Sequence, residues 1–285
     1  MSAHGSASVL FSPISRLPSV ILSLPTFITT DVLAADSSLT LGEDAAHHMR
    51  VLRLEAGARV QLADGQGSRG VGTVLRIAKR NATVQVNQCE FTDPLPPAHL
   101  IVPIADRDRM LWLGEKATEL GASSWRPVNF RRSRSVSPRG EGPTFQQRLR
   151  GRMQAALEQS GGAWLPVPYP DATVETCIAA APEGVRLVLA RDGAPIVQLL
   201  QDQPDVPVTI VLGPEGGMEA QELEAFGAAG FRMASLGTSL LRFETAGVAA
   251  LSVVRAVGAS RAWQGGGGAT AASASGAGSD SDASA

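Results

Sequence analysis

Two hydrophobic patterns divide the chain. From about Leu24 to Phe91, apolar residues come in short alternating runs such as ARVQLAD, GVGTVLRIA and ATVQVNQ, and Asp64-Gly65 supplies a turn between two of them. Alternation with a period of two is typical of half-buried strands. Residues 24–92 are therefore predicted to form a small, mostly β domain, followed by a proline-rich linker at 93–99.

From His99 onward the pattern predicts strands that alternate with helices. Apolar residues from Met110 to Leu120 recur at helical spacing, and Gly121 is well placed to end that helix. Alternating β and α elements imply a parallel sheet covered by helices, so residues 99–260 are predicted to be an α/β domain. Its predicted strands span 100–105, 125–130, 185–190, 207–212 and 231–236, and its further helices span 144–159, 219–229 and 244–260.

Both ends of the chain are predicted to be disordered. Residues 1–23 are rich in serine and contain no acid, and the stretch 19–37 resembles a secretory leader only faintly, because Pro25 and Asp31 interrupt it. The tail at 261–285 consists mostly of Gly, Ala and Ser and can bury little. No apolar run reaches the roughly 18 residues that a membrane span needs, so no membrane partner is predicted.

Charge and cysteine usage narrow the classes of function. The net charge of −2 gives no global basic field, but region 126–152 is rich in arginine and has Glu141 as its single acid. This predicts an anion-binding surface, with an arginine-rich solvated face as the alternative. Cys89 and Cys177 form no CxxC pair and fit a reducing cytosol, so the protein is predicted to be cytoplasmic. No metal site is predicted.

The loop GPEGG at 213–217 follows the predicted strand 207–212. It lacks the lysine and hydroxyl of a Walker loop and the spacing of a dinucleotide fingerprint. Glu215, Glu219 and Glu222 would also satisfy the positive end of the next helix, which leaves little for a phosphate. A backbone-lined slot for an adenine ring beside a cationic group such as a sulfonium fits better. A tight turn with Glu215 in solvent is the alternative.

A second loop, SLGTSLLRFETA at 235–246, follows the last predicted strand. Ligands of parallel sheets bind at the carboxyl ends of the strands, where both loops are predicted to lie. Gly237 supplies a turn, and Arg242 supplies a cation that could stabilise developing negative charge on a substrate oxygen. A structural ion pair of Arg242 with Glu244 or Glu215 is the alternative.

These motifs resemble those of a known enzyme family. EKATELGAS at 115–123, LGPEGGMEAQELEAFGAAGF at 212–231 and the second loop, in this order and spacing, are similar to the 16S ribosomal RNA uridine N3-methyltransferases of the SPOUT superfamily. LPTFIT, AHHMRVLRLEAG and VQLADGQG resemble the small PUA-like β-barrel, an RNA-binding domain, that precedes the catalytic domain in that family. The resemblance covers roughly residues 24–258.

The resemblance implies a fold, an assembly and a cofactor. The fold would be a SPOUT-type parallel sheet with a C-terminal trefoil knot, a known exception to the rule that chains do not thread loops. The enzyme would be a homodimer, and the small-residue helix 244–260 is suited to close packing in it. The two loops would bind S-adenosylmethionine, mainly through backbone groups. The implied cofactor-binding residues are Leu189, Leu212, Gly213, Glu215, Gly216, Gly217, Leu236, Gly237, Leu241, Arg242 and Thr245.

The implied reaction is methylation of N3 of a specific uridine in the 16S rRNA of the small ribosomal subunit. The base must lose its N3 proton and be held close to the methyl group. Arg242 and Glu244 are the predicted catalytic residues: Arg242 would stabilise the anionic uracil oxygens, and Glu244, Glu215 or water would take the proton. The alternatives are a SPOUT 2′-O-ribose methyltransferase and a noncatalytic RNA-binding ribosome assembly factor.

Arginines are the predicted RNA contacts, mostly to phosphates. The chain departs from the family's pattern at Thr26, Asp106, Arg131, Gly162 and Ser239, which alters the basic residues available to RNA. Neighbouring arginines at 131–139 are hypothesised to compensate. The predicted RNA-binding residues are Arg50, Arg53, Arg107, Arg109, Arg131, Arg132 and Arg134.

Overall fold

A computed structural model of the 285-residue chain describes residues 24–133, 143–201, 203 and 205–271. The chain forms two compact units. Unit 1 contains the chain up to Asp64 together with Ser68–Glu90, and unit 2 contains Gly65–Gly67 and the chain from Phe91 onward. The predicted extension at 1–23 lies outside the described residues. None of the described helices is long and apolar enough to cross a membrane.

Unit 1 is a five-stranded sheet with one helix. The elements are β1 (Thr26–Ile28), β2 (Ser38–Leu41), α1 (Glu43–Val51), β3 (Arg59–Ala63), β4 (Ser68–Ile77) and β5 (Ala82–Phe91). Strand β3 pairs antiparallel with β4, β2 pairs antiparallel with β5, and β1 pairs parallel with β3. The sheet order is β1-β3-β4-β5-β2. The alternating runs of the sequence thus form strands, because one side of each run enters a shared core.

Unit 2 contains a six-stranded, wholly parallel sheet. Its strands are β6 (Ala98–Pro103), β7 (Ser124–Val128), β8 (Val167–Pro168), β9 (Val185–Pro195), β10 (Val208–Val211) and β11 (Arg232–Ser235). The sheet order is β11-β9-β10-β6-β7-β8. Its helices are α2 (Arg107–Glu119), α3 (Pro143–Ser160), α4 (Val174–Ala180), α5 (Ile196–Gln201), α6 (Ala220–Ala228) and α7 (Phe243–Ala271).

Both faces of this sheet are buried. Within β6, Leu100 and Val102 enter one hydrophobic cluster while Ile101 enters another. Within β10, Ile210 and Val211 divide between the same two clusters. Strands buried on both faces carry continuous apolar runs, which is why the sequence predicts these strands so directly.

Helix α7 packs closely on the centre of unit 2. A Cβ at Gly247 would lie 2.9 Å from the Leu113 side chain of α2 and 3.0 Å from that of Leu212, just after β10. Glycine at this position therefore lets three elements approach one another. The helix continues to Ala271, past the boundary at 261 where the disordered tail is predicted to begin. Each added residue of an existing helix gains a hydrogen bond at low cost. Residues 272–285 lie outside the described residues.

A partly buried guanidinium connects α7 to the end of α2. Arg255 donates from Nε to the carbonyl oxygen of Leu120 at 3.0 Å and from Nη1 to that of Pro96 at 2.5 Å. Its Nη2 donates to the carbonyl oxygen of Gly121. Burial lowers the pKa of Arg255 to about 10, which leaves it protonated at neutral pH. One side chain thus satisfies two carbonyl groups just after the end of α2 and one within the proline-rich linker.

Replacing Arg255 with methionine is expected to lower the free energy of unfolding by about 2–4 kcal/mol, because three carbonyl oxygens lose a charged donor. Urea denaturation of the two proteins measures this difference. Arg152→Met, which removes an exposed arginine paired with Glu115 at 3.4 Å, is the control and should change stability by less than about 1 kcal/mol. Equal midpoints for Arg255→Met and the wild type would contradict the proposed role of Arg255.

Candidate functional site

The glycine loop, residues 213–217, connects β10 to α6. Gly217 has a φ of 74°, and its N–H donates to the carbonyl oxygen of Pro214 at 2.9 Å. A Cβ at Gly216 would lie 3.1 Å from the backbone oxygen of Arg132. The glycines therefore permit a tight turn and the close approach of a second segment.

Two of the three glutamates near this loop cap the following helix and contact Arg131 and Arg132. The buried Glu222 carboxylate accepts hydrogen bonds from the N–H of Glu219 at 2.7 Å and from the N–H of Arg131 at 2.8 Å. Glu219 lies 3.3 Å from the Arg131 guanidinium and 3.6 Å from that of Arg132. These contacts cap α6 and tie the arginine pair to the loop. The positive end of α6 is thus occupied by the protein's own carboxylates.

The third glutamate pairs with an arginine of α2. Nη1 of Arg109 donates to Oε1 of Glu215, and Nε of Arg109 lies 3.9 Å from Oε1 of Glu244. Glu215 is half-exposed but ion-paired, so it does not stand alone in solvent. Arg109, a predicted RNA contact, directs its guanidinium at the two carboxylates.

The second loop connects β11 to α7 through a glycine turn. Gly237 has a φ of 131° and donates its N–H to Oγ of Ser235 at 3.2 Å. Leu240 is 88% exposed, and Leu241 and Arg242 are also exposed. This loop therefore presents apolar side chains and a cation on its surface.

Arg242 forms no ion pair with any side chain in the described part of the chain. The pairing with Glu215 or Glu244 that the sequence leaves open is made by Arg109 instead. Glu244 lies in the first turn of α7 and is 9% exposed. Its Oε2 atom has no hydrogen-bond partner among the described residues. In the described chain, Glu244 therefore has one buried oxygen without a hydrogen-bond partner, and Arg242 has an exposed guanidinium without an ion pair.

The sheet brings the two loops to one edge. Strand β9 lies between β10 and β11, so the two loops leave strands on either side of it. Leu189 of β9, Leu212 and Leu236 pack on the same hydrophobic cluster. Gly213 follows Leu212 directly, and Thr245 is exposed in the first turn of α7. The carboxyl ends of parallel strands are the usual place for a ligand.

The remaining predicted RNA contacts have varied surroundings. Arg50 donates from Nη1 to the carbonyl oxygens of Ala78 at 2.6 Å and Lys79 at 3.1 Å, which closes the turn between β4 and β5. Arg53 is exposed and has a φ of 54°, and Arg107 is exposed at the start of α2. Arg134 lies outside the described residues.

Unit 1 also contains a cavity of about 420 Å³. The residues that line it include Gln61, Arg69, Asn87 and Gln88. Amide and guanidinium groups supply the donors and acceptors that polar ligands need. The sequence did not single out these residues, because they come from three separate strands and share no motif.

Comparison with known proteins adds to this geometry. A family model described as an RNA methyltransferase domain matches residues 92–255, more than half of the chain. The chain belongs to this RNA methyltransferase family. A second model, described as an RNA methyltransferase PUA domain, matches residues 41–87.

Several relatives share a name. The Ribosomal RNA small subunit methyltransferase E of Synechocystis sp. is 28% identical over 228 residues, which is 78% of this chain and 74% of that protein. The protein of the same name from Rickettsia conorii is 26% identical over 241 residues, which is 80% of this chain and 93% of the relative.

A solved structure has a similar fold. The crystal structure of a Ribosomal RNA small subunit methyltransferase E from Neisseria gonorrhoeae bound to S-adenosyl methionine superposes with a TM-score of 0.75 at 26% identity. It covers 82% of this chain and 98% of that chain. The predicted SPOUT-type α/β fold with a PUA-like N-terminal domain is thereby confirmed. The trefoil knot stays a prediction.

The sequence singled out the two loops but not the residues that pair with their glutamates. Arg109 and Glu215 are separated by 106 positions, and Arg131 and Glu222 by 91. No local pattern predicts a contact across such a distance. Asp106 stands where the family that the sequence resembles often has a basic residue. It caps α2 by accepting a hydrogen bond from the N–H of Arg109 at 3.1 Å.

Proposed function

We propose that this protein is an S-adenosylmethionine-dependent methyltransferase that methylates N3 of a uridine in the 16S rRNA of the small ribosomal subunit. The observation that carries the proposal is the pair of loops at the strand ends of an RNA methyltransferase fold, where Glu215 and Glu244 share one arginine. Such a site suits a cationic cofactor and disfavours a polyphosphate. The names of the relatives and the bound cofactor of the gonococcal structure support the substrate and the cofactor.

The residues present fit the cofactor. Each loop has one glycine with open space beside its backbone, since no atom lies within 4 Å of a Cβ placed at Gly217 or at Gly237. Leu189, Leu212 and Leu236 pack on one hydrophobic cluster and can supply apolar contacts to an adenine ring. S-adenosylmethionine, when bound, supplies the methyl group on a sulfonium.

Two residues are proposed to act on the uridine. Arg242, exposed and without an ion pair in the described chain, can approach a uracil oxygen and stabilise the negative charge that develops there. Glu244 has a buried oxygen without a partner among the described residues, which suits it to accept the N3 proton. Glu215 is already held by Arg109, so it is the weaker choice.

The site of methylation is tested with unmodified small ribosomal subunits and isotopically labelled cofactor, followed by mass mapping of the modified nucleotide. We expect the label on N3 of one uridine. Label on a ribose 2′ oxygen would identify a 2′-O-methyltransferase instead. Failure of the protein to bind S-adenosylmethionine in calorimetry would favour a noncatalytic assembly factor.

We also propose a homodimer. The side chains of Leu240 and Leu241 are exposed beside Arg242, and an apolar rim around a site is typical of an interface. A second subunit would cover this rim and complete the site. Light scattering of the purified protein is expected to give the mass of two chains, and a monomer mass at micromolar concentration would contradict the dimer.

RNA binding is proposed to use exposed arginines outside the cofactor site. The protein is proposed to act in the cytoplasm, where it meets ribosomal subunits.

Replacing Arg107 with alanine should reduce the slope of log affinity against log salt for small-subunit binding by about one. Filter binding at several salt concentrations measures the slope. Cofactor affinity of Arg107→Ala serves as the control and should not change.

A further inference from the structure

Three elements of unit 2 meet at one guanidinium. Arg109 belongs to the first turn of α2, Glu215 to the glycine loop and Glu244 to the first turn of α7. Arg109 donates from Nη1 to Glu215 and places Nε 3.9 Å from Glu244. The contact connects the loop proposed to bind the cofactor with the carboxylate proposed to take the proton.

The backbone of Arg109 is itself fixed. The Asp106 carboxylate accepts the Arg109 N–H at 3.1 Å and so caps the helix that carries it. Within the next turns, Met110 and Leu113 are fully buried. Arg109 therefore reaches its two partners from a rigid helical base.

The contribution of these ion pairs to folding is small. The side chains of Arg109 and Glu215 are 33% and 49% exposed, and exposed ion pairs add little to stability because water screens them. A surface pair of this kind does not explain why one guanidinium contacts carboxylates of two separate functional segments. Orientation of the segments explains it better, because each contact removes freedom from a carboxylate beside the proposed site.

The charges in this cluster do not balance. Two carboxylates share one guanidinium, which leaves one excess negative charge among the described contacts. Glu244 is also buried with one oxygen that lacks a hydrogen-bond partner in the described chain. A buried unpaired oxygen is costly unless a donor reaches it. A bound cation and a donor N–H would meet both needs.

We propose that Arg109 is a positioning residue for methyl transfer. Its guanidinium holds the cofactor loop through Glu215 and orients Glu244 so that Oε2 stays available to the N3 proton of the uridine. This inference rests on the proposed function and gives Arg109 a role other than the RNA contact that the sequence predicts for it. Arg109 touches neither substrate nor cofactor in this role and acts only through the two glutamates.

The test compares Arg109→Met, Arg109→Lys, Glu215→Gln and the double variant Arg109→Met/Glu215→Gln in steady-state methylation of small subunits. Arg109→Met keeps the apolar stem but loses the charge. It should raise the KM for S-adenosylmethionine about tenfold and lower kcat about tenfold, because it acts through both glutamates. Arg109→Lys should recover most of both losses, since a point charge can still attract the carboxylates.

The double variant separates a shared contact from two independent ones. Glu215→Gln should raise KM alone, and the KM of the double variant should equal that of Arg109→Met rather than the product of the two effects. Lys116→Met is the matched control, because Lys116 lies on the same helix and pairs only with Glu115 and Glu119 among the described contacts. It should leave both constants unchanged.

Several results would overturn the inference. These are wild-type constants in Arg109→Met, an Arg109→Lys as impaired as Arg109→Met, or KM effects that multiply in the double variant. If Arg109→Met does not fold, a Glu215→Gln variant with unchanged KM overturns it as well. Calorimetry with the wild type distinguishes failure of the proposed function from failure of the role of Arg109. If the wild type does not bind S-adenosylmethionine, the proposed function is wrong. If the wild type binds it normally and Arg109→Met has wild-type constants, only the role of Arg109 is wrong.

Discussion

Replacing Arg242 with alanine is expected to lower kcat by about 100- to 1,000-fold while the Kd for S-adenosylmethionine changes by less than about threefold. The reason is the position of the side chain. Arg242 is exposed, makes no ion pair within the described chain and lies in the second loop directly before α7. Its charge is therefore free to act on the substrate, where negative charge develops on the uracil oxygens during transfer.

Arg232→Ala is the matched control for this experiment. Arg232 is the first residue of β11, whereas Arg242 follows the opposite end of that strand. The Arg232 guanidinium donates to the carbonyl oxygen of Leu199 in α5 at 3.2 Å. Single-turnover methylation and calorimetry should show that Arg232→Ala changes neither the rate of methyl transfer nor the Kd for S-adenosylmethionine. Similar losses of turnover and cofactor affinity in Arg242→Ala would mean that Arg242 binds the cofactor and does not stabilise the substrate.

Replacing Glu244 with glutamine is expected to lower kcat by about 100-fold, because an amide cannot accept the N3 proton. The change keeps the size of the side chain, so the packing around this buried position should survive. Thermal unfolding and single-turnover methylation of the same preparation separate a folding defect from a catalytic one. A normal melting temperature with reduced kcat is the expected result.

Glu215→Gln is the comparison that identifies the proton acceptor. Glu215 is half-exposed and held by Arg109, so its loss should leave kcat within about threefold of the wild type. If Glu215→Gln loses kcat and Glu244→Gln does not, the roles are exchanged. If both variants keep wild-type kcat, water takes the proton and neither carboxylate is catalytic.

The central strands of the parallel sheet were predictable because burial on both faces favours a continuous apolar run within a strand. The predicted strands 100–105 and 207–212 overlap β6 and β10, whose residues divide between two hydrophobic clusters. Short elements left no comparable pattern. Helix α1 buries only Ala46 and Met49, and α5 spans Ile196–Gln201 within one and a half turns or so. Such segments carry too few periodic positions to be recognised.

The glycine loop shows where prediction from the sequence ends. Its residue types and their spacing are enough to exclude a Walker loop and a dinucleotide fingerprint. The use of Glu219 and Glu222 at the helix end followed from their positions in the first turn, and the contacts agree with it. The partner of Glu215 did not follow, because an arginine at any of several positions could have served.

The sequence by itself determined the β-rich segment, the alternating α/β segment and the two loops that follow strands of the sheet. It did so because period, turn chemistry and loop composition are local properties of the chain. Only the tertiary structure decided that Arg109 faces Glu215 and Glu244 and that Arg242 has no ion pair among the described residues. Ion pairs between residues far apart in the chain depend on which helices and loops the sheet brings to one edge, and no short stretch of sequence records that arrangement.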